Sequence, residues 1–107
     1  MLDERFSHHN LVNSPERESL LEALRIETTR RLQATSDPAN EGYSLVEELR
    51  RLGHDLWSFD EDDDFQIWCG SWTARKHPWE LILYVNFRED EIPHTRVEFV
   101  KRPTSNP

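Results

Sequence analysis

The chain has 107 residues, 32% of them charged, with 13 Lys and Arg against 21 Asp and Glu and a formal net charge of −8. This length indicates one domain with one modest core, and four Trp, two Tyr and five Phe argue against disorder. The acidic balance disfavours a nucleic-acid partner, because phosphate binding draws on a cationic footprint.

We predict the cellular compartment from three features that the sequence lacks. A single cysteine, Cys69, excludes an internal disulfide and gives no sign of an oxidising environment. No apolar run approaches the roughly 18 residues of a membrane span. Residues 1–6 lack the basic start and apolar stretch of a signal peptide. We therefore expect a cytoplasmic protein without a membrane partner.

The N-terminal half predicts a leader and a first helix. Residues 1–13 show no period, and the pattern leaves open whether this leader is ordered or flexible. Ser14 and Pro15 then form a good helix start, with Ser as N-cap and Pro at the first helical position. Leucines at helical spacing follow, so we predict a helix over residues 15–34.

A second, shorter helix is predicted after a loop. Residues 35–42 are loop-like in composition, with Pro and Gly closing both neighbouring elements. Ser44 and Glu47 match a capping box, and Gly53 is a natural C-terminal stop. These signals place the second helix at residues 45–52.

From residue 55 the apolar period changes to two, which is typical of strands. The predicted fold is α+β, with two N-terminal helices on one face of a three- to four-stranded antiparallel meander, in the order ααββββ. We expect this single domain to cover residues 14–102, and residues 103–107 to be a disordered tail. The predicted strands span residues 55–59, 65–73, 79–87 and 95–102.

Alternation along these strands predicts two unlike sheet faces. The odd positions of the last three strands are almost purely apolar and should meet the helices. The even positions are mixed, with aromatic patches of the kind that usually mark an interface when exposed. The N-terminal residues could equally cover this mixed face, and the sequence leaves both arrangements open. The apolar set is Phe65, Ile67, Cys69, Trp79, Leu81, Leu83, Val85, Phe87, Val97 and Phe99, and the candidate partner-binding set is Trp68, Trp72, Tyr84 and Arg96.

The turns of the predicted meander carry most of its charge. Alternate turns of a meander lie at the same end of the sheet, so two acidic turns should meet there, opposite a basic turn at residues 74–78. Such an end would set up a strong negative potential, suited to a basic protein or a cation, or simply to keeping the chain soluble. The acidic turns consist of Asp60, Glu61, Asp62, Asp63 and Asp64, and of Glu89, Asp90 and Glu91.

Catalytic and metal-binding motifs find little support. An EF-hand interpretation of the first acidic turn fails, because Phe65 and Ser71 occupy the positions that require Gly and Glu. The five histidines lack zinc-site spacing, and three glycines leave no phosphate-binding loop. We therefore expect no enzyme activity and no cofactor.

The sequence favours a small acidic protein-interaction module, such as an adaptor, inhibitor or immunity-type antagonist, that binds a basic protein surface. In this hypothesis the acidic turns steer association and the aromatic face supplies buried anchors. Two alternatives stay open. One is a small-ligand-binding or enzymatic domain with a pocket on the aromatic face, and the other is a homodimer without further chemistry.

Overall fold

Three helices precede a four-stranded antiparallel sheet in the computed structural model, which describes residues 1–70 and 78–103. The α+β class and the predicted meander are confirmed, with the strands paired in chain order. Residues 71–73 of the predicted second strand and residues 104–107 of the predicted tail lie outside the described part. After a 3-10 turn at Glu4–Phe6, the elements are α1 (His8–Asn13), α2 (Arg17–Gln33), α3 (Pro38–Arg51), β1 (Trp57–Glu61), β2 (Phe65–Cys69), β3 (Trp79–Asn86) and β4 (His94–Lys101).

Residues 1–13, whose ordering the sequence left open, pack into the core of the domain. Phe6 and Leu11 are at most 1% exposed. The Ser7 hydroxyl caps α1 by accepting from the N–H of Asn10 at 3.1 Å. The N–H of His8 donates to the carbonyl of Leu52 at 2.9 Å, which ties α1 to the end of α3.

Helix α2 begins two residues after the predicted start. The predicted N-cap was wrong, because Glu16 occupies that position without a side-chain cap and Ser14 ends α1. The buried stripe of α2 contains Leu21, Leu24 and Leu32, and the helix packs along β4. Within the described residues, no helix combines the length and the apolar character that crossing a bilayer requires.

Helix α3 begins well before the predicted start at residue 45, and the loop predicted over residues 35–42 is largely helical. The Asp37 carboxylate caps the helix by accepting from the N–H of Asn40 at 3.2 Å. Pro38 follows in the first turn, where its missing N–H costs nothing. Gly42 lies inside the helix, at a point where the helix approaches the sheet closely. A Cβ at this position would collide with Oε1 of Gln66. The prediction was wrong because Pro and Gly mark helix starts and close contacts as well as loops.

The assignment of β2 to sheet faces was also wrong. Val85 in β3 lies opposite Gln66 in β2 and opposite Thr95 in β4. Because directly opposite residues share a face, the helix-covered face takes the even positions of β2 and the odd positions of β3 and β4. The predicted apolar residues Phe65, Ile67 and Cys69 therefore lie on the open face, away from the helices.

Candidate protein-interaction surface

The two acidic turns meet at one end of the sheet, as predicted. The N–H of Phe87, at the end of β3, donates to the carbonyl of Asp64 at 2.9 Å, so the turns run side by side. All eight predicted carboxylate residues are exposed, but Asp60 and Glu61 are the last residues of β1 and not part of the turn that follows it. We call these eight residues the acidic end. The predicted basic turn at residues 74–78 lies outside the described residues except for Pro78.

Several carboxylates of the acidic end accept hydrogen bonds from other groups of this chain. Asp62 accepts from the N–H of Asp64 at 2.7 Å, which tightens the β1–β2 turn. Nε of Arg88 donates to Asp90 at 3.1 Å, and this contact lowers the pKa of the Asp90 carboxyl. Glu61 accepts from the hydroxyl of Tyr43 at 2.6 Å, which raises the pKa of that phenol.

The remaining carboxylates are available to a partner. Within the described residues, the side chains of Asp60, Asp63, Asp64 and Glu89 form no hydrogen bond or ion pair. Asn86 donates to Glu91 at 3.2 Å, but both groups are open to water. The acidic end therefore holds several carboxylates whose charge is not neutralised by a neighbour.

Exposed apolar side chains flank the acidic end. Phe59 is 71% exposed and Ile92 is 72% exposed, and each lies in or directly beside an acidic turn. Phe59 stands at a register shift between Ser58 and Asp60, a β-bulge that sets it apart from the regular pairing of β1. Neither residue was predicted from the sequence as part of the surface, although both stand directly beside the acidic runs.

The predicted aromatic face divides between two environments. Trp68 is only 6% exposed and lies under the helices, where its Nε1 donates to Oε1 of Gln66 at 3.1 Å. Tyr84 and Arg96 lie together on the open face, with the guanidinium 4.8 Å from the ring centre. Trp72 lies outside the described residues. The structure therefore keeps Tyr84 with Arg96 and separates Trp68 from them, so the shared face predicted for these residues is wrong for Trp68.

The open face has a cavity of about 350 Å³ next to the acidic end. Ile67 and Tyr84, which are directly opposite each other, lie in its wall. Arg88, His94 and Arg96 also line it, together with the carboxylate of Asp64, and Arg88 is paired with Asp90. Nδ1 of His94 lies 2.9 Å from the carbonyl of Ile92, so Nε2 is the ring nitrogen left to face a ligand.

Two other histidines, His8 and His54, pack against each other with ring centres 5.8 Å apart, whereas His9 is exposed. His54 is 3% exposed, and its Nε2 lies 2.7 Å from the carbonyl of Phe6. Nε2 of His8 lies 3.2 Å from the carbonyl of Trp79. Among residues 1–70 and 78–103, no cluster of three His, Cys, Asp or Glu side chains has the geometry to hold a metal ion.

No protein-family model, curated protein or solved structure matches this chain.

Proposed function

We propose that this chain is an acidic protein-interaction module whose acidic end binds a basic surface on another protein. The observation that carries this proposal is the side-by-side placement of the two acidic turns, joined through Phe87 and Asp64. Neighbouring like charges raise the local potential and speed encounter with an oppositely charged surface.

Apolar groups beside the charge support the same proposal. Phe59 and Ile92 lie more than two-thirds exposed at the margins of the acidic end. Charged rims set the rate and orientation of association, whereas apolar side chains that become buried supply most of the affinity. A basic partner surface with an apolar depression would bind both the carboxylates and these two apolar side chains.

The test compares two triple variants of equal net charge. Asp60→Asn, Asp63→Asn and Glu89→Gln remove carboxylates that have no described partner, and they leave Asp62 to hold its turn. The control variant carries Glu4→Gln, Glu16→Gln and Glu47→Gln, which are exposed acids on the helical side of the chain. The probe is immobilised cytochrome c, a basic folded protein, and the readout is the association rate at several salt concentrations.

We expect the acidic-end variant to associate roughly tenfold more slowly at low salt, and the control to stay near the parent rate. Equal losses in both variants would show that only net charge matters and would overturn the proposal. Sedimentation of the free chain at two concentrations separates this function from self-association, because a homodimer would sediment faster at the higher concentration.

A second candidate function is the binding of a small organic anion in the open-face cavity. It is favoured by the placement of Arg88, His94 and Arg96 around Tyr84, within a chain of net charge −8. An aromatic carboxylate would pair with a guanidinium and stack on the phenol ring. Resonance shifts confined to Ile67, Tyr84 and Arg96 on adding benzoate, and lost in Arg96→Gln, would support it. Shifts that survive Arg96→Gln would exclude it.

A further inference from the structure

The free edge of β4 presents backbone groups that the sheet does not use. The N–H of Thr95 donates to the Thr29 hydroxyl at 3.0 Å, so it points away from β3. Antiparallel strands alternate between residues that bond to the neighbouring strand and residues that point outward. Val97 and Phe99 follow Thr95 at intervals of two, so their N–H and C=O groups also point outward. The bond from the N–H of Arg102 to the carbonyl of Pro78 agrees with this alternation.

These outward groups border a groove rather than open solvent. A cavity of about 430 Å³ lies between α2 and β4. Leu21, Val97, Phe99 and Val100 supply its apolar surface; Leu21 and Phe99 are buried, and the two valines are half-buried. Within the described residues, the N–H groups of Val97 and Phe99 have no acceptor outside the sheet. Towards the acidic end, the Thr95 hydroxyl lies 2.6 Å from that of Thr28 on α2, which closes the groove there.

The charge along the groove is predominantly negative. Glu18, Glu22 and Glu98 line it together with a single base, Arg25. Arg25 donates to Glu22 at 2.6 Å, so this base neutralises one of the three acids and the other two remain. The Arg25 contact lowers the pKa of the Glu22 carboxyl, which keeps that group ionised.

The opposite edge of the sheet is protected against strand addition. β1 has five residues against eight in β4, and its register is broken by the bulge at Phe59. Acidic side chains at Asp60 and Glu61 further discourage a neighbouring strand. β4 pairs with β3 over its whole length without a register shift. Of the two edges, β4 is therefore the one prepared to accept a strand.

We propose that the groove between α2 and β4 binds an extended basic peptide, which adds to the sheet as a further strand. The peptide backbone pairs with Val97 and Phe99, and the row of its side chains that faces α2 contacts Leu21. The other row carries the Lys or Arg residues and faces Glu98, within the negative potential that Glu18 reinforces. A second copy of this chain fits the groove less well, because its net charge of −8 would be repelled by Glu18 and Glu98. This site is separate from the acidic end and does not depend on the function proposed for it.

The test uses the full chain and three synthetic peptides. The first is a hexapeptide alternating Lys with Val, and the second replaces every Lys by Glu. The third is the Lys peptide with alternate backbone nitrogens methylated. It retains the charge of the Lys peptide but has no N–H donors along one of its two strand edges. Fluorescence anisotropy gives the affinities, and amide hydrogen exchange locates the bound peptide.

We expect the Lys peptide to bind and to slow exchange at the amides of Val97 and Phe99. Methylation on the edge that faces β4 should weaken binding at least roughly tenfold, since it removes several main-chain hydrogen bonds. The variant with Glu18→Gln and Glu98→Gln should also bind more weakly, and the control with Glu4→Gln and Glu47→Gln should not. The Glu peptide should not bind detectably.

Several results would overturn the proposal. Equal binding of the methylated and the unmethylated Lys peptides would show that no strand forms. Protection at β1, or binding lost in the acidic-end variant of Asp60, Asp63 and Glu89, would place the peptide elsewhere. Protection of Val97 and Phe99 in the free chain, together with concentration-dependent sedimentation, would assign the groove to a second copy.

Discussion

The two faces of the sheet show how differently one hydrophobic pattern can be used. On the helix-covered face, Leu81, Leu83 and Val85 are at most 1% exposed. On the open face, Ile67 and Tyr84 stay half-buried beside charged neighbours and line a cavity. Both faces carry apolar side chains, so hydrophobicity alone does not distinguish them. The difference lies in which positions the helices reach.

The two faces are expected to contribute to different properties, the covered face to stability and the open face to recognition. Burial of apolar area stabilises the covered face, and substitutions there should act mainly on folding. Ile67 and Tyr84 on the open face and the carboxylates of the acidic end keep contact with water, and substitutions there should act mainly on binding. Three measurements of stability test this division and the helix packing on which it depends.

The largest expected effect comes from Leu83→Ala on the covered face. Leu83 is fully buried opposite Trp68 and Val97, so its loss leaves a cavity in the core. We expect a cost of about 2–5 kcal/mol in the free energy of unfolding, measured by urea denaturation. Ile67→Ala on the open face is the control and should cost on the order of 1 kcal/mol. Equal costs would remove the distinction between the faces.

The next effect tests how closely α3 packs on the sheet. Alanine normally favours a helix over glycine, yet Gly42→Ala places a Cβ against Oε1 of Gln66. We expect a loss of about 2 kcal/mol in thermal or urea unfolding. In a chain carrying Gln66→Ala, the same Gly42→Ala change should be neutral or stabilising. A stabilising Gly42→Ala in the parent chain would show that the contact is looser than described.

The smallest effect concerns the ion-pair cluster that joins the two long helices. Arg31 contacts Glu41 and Glu48 at 2.6 Å each, and both carboxylates are largely shielded from water. The Arg31 contact lowers the pKa of the Glu48 carboxyl. A lowered folded-state pKa contributes stability that is present above the unfolded value of about 4.3 and is lost as the pH falls further.

Glu48→Gln should therefore cost about 1.5 kcal/mol near neutral pH, because Arg31 loses a charged partner and Leu2 loses a charged acceptor. The same variant should unfold with a shallower pH dependence below about pH 4.3. Glu27→Gln, which breaks the exposed pair with Arg30, should change stability by at most about 0.5 kcal/mol. An unchanged pH profile in Glu48→Gln would show that another carboxyl group causes the acid sensitivity.

Several features of the fold and site were readable from the residues alone. The first helix follows from the leucine spacing, although its N-cap is Glu16 and not Ser14. The strands follow from alternation after residue 55. The meeting of the acidic turns follows from meander geometry once the strands are known. The start of α3 was missed, because Asp37 and Pro38 resemble a loop until the helix they cap is seen.

The division of Trp68 from Tyr84 could not be predicted in the same way. A shift of one residue in the pairing of two strands exchanges the faces of every side chain. The pairing of β2 with β3 depends on the connection between Cys69 and Trp79, whose path the alternation pattern does not specify. The bulge that exposes Phe59 depends equally on pairing, since it exists only where β1 meets β2.

The α+β class, the meander and the acidic end are predictable from the residues, because local periodicity, capping residues and charge runs act over a few neighbouring residues. Three features became visible only with the packed fold: which side of β2 meets the helices, how Gly42 fits against Gln66, and the groove between β4 and α2. These features depend on distances between residues far apart in the chain, which are set when the helices and strands pack together.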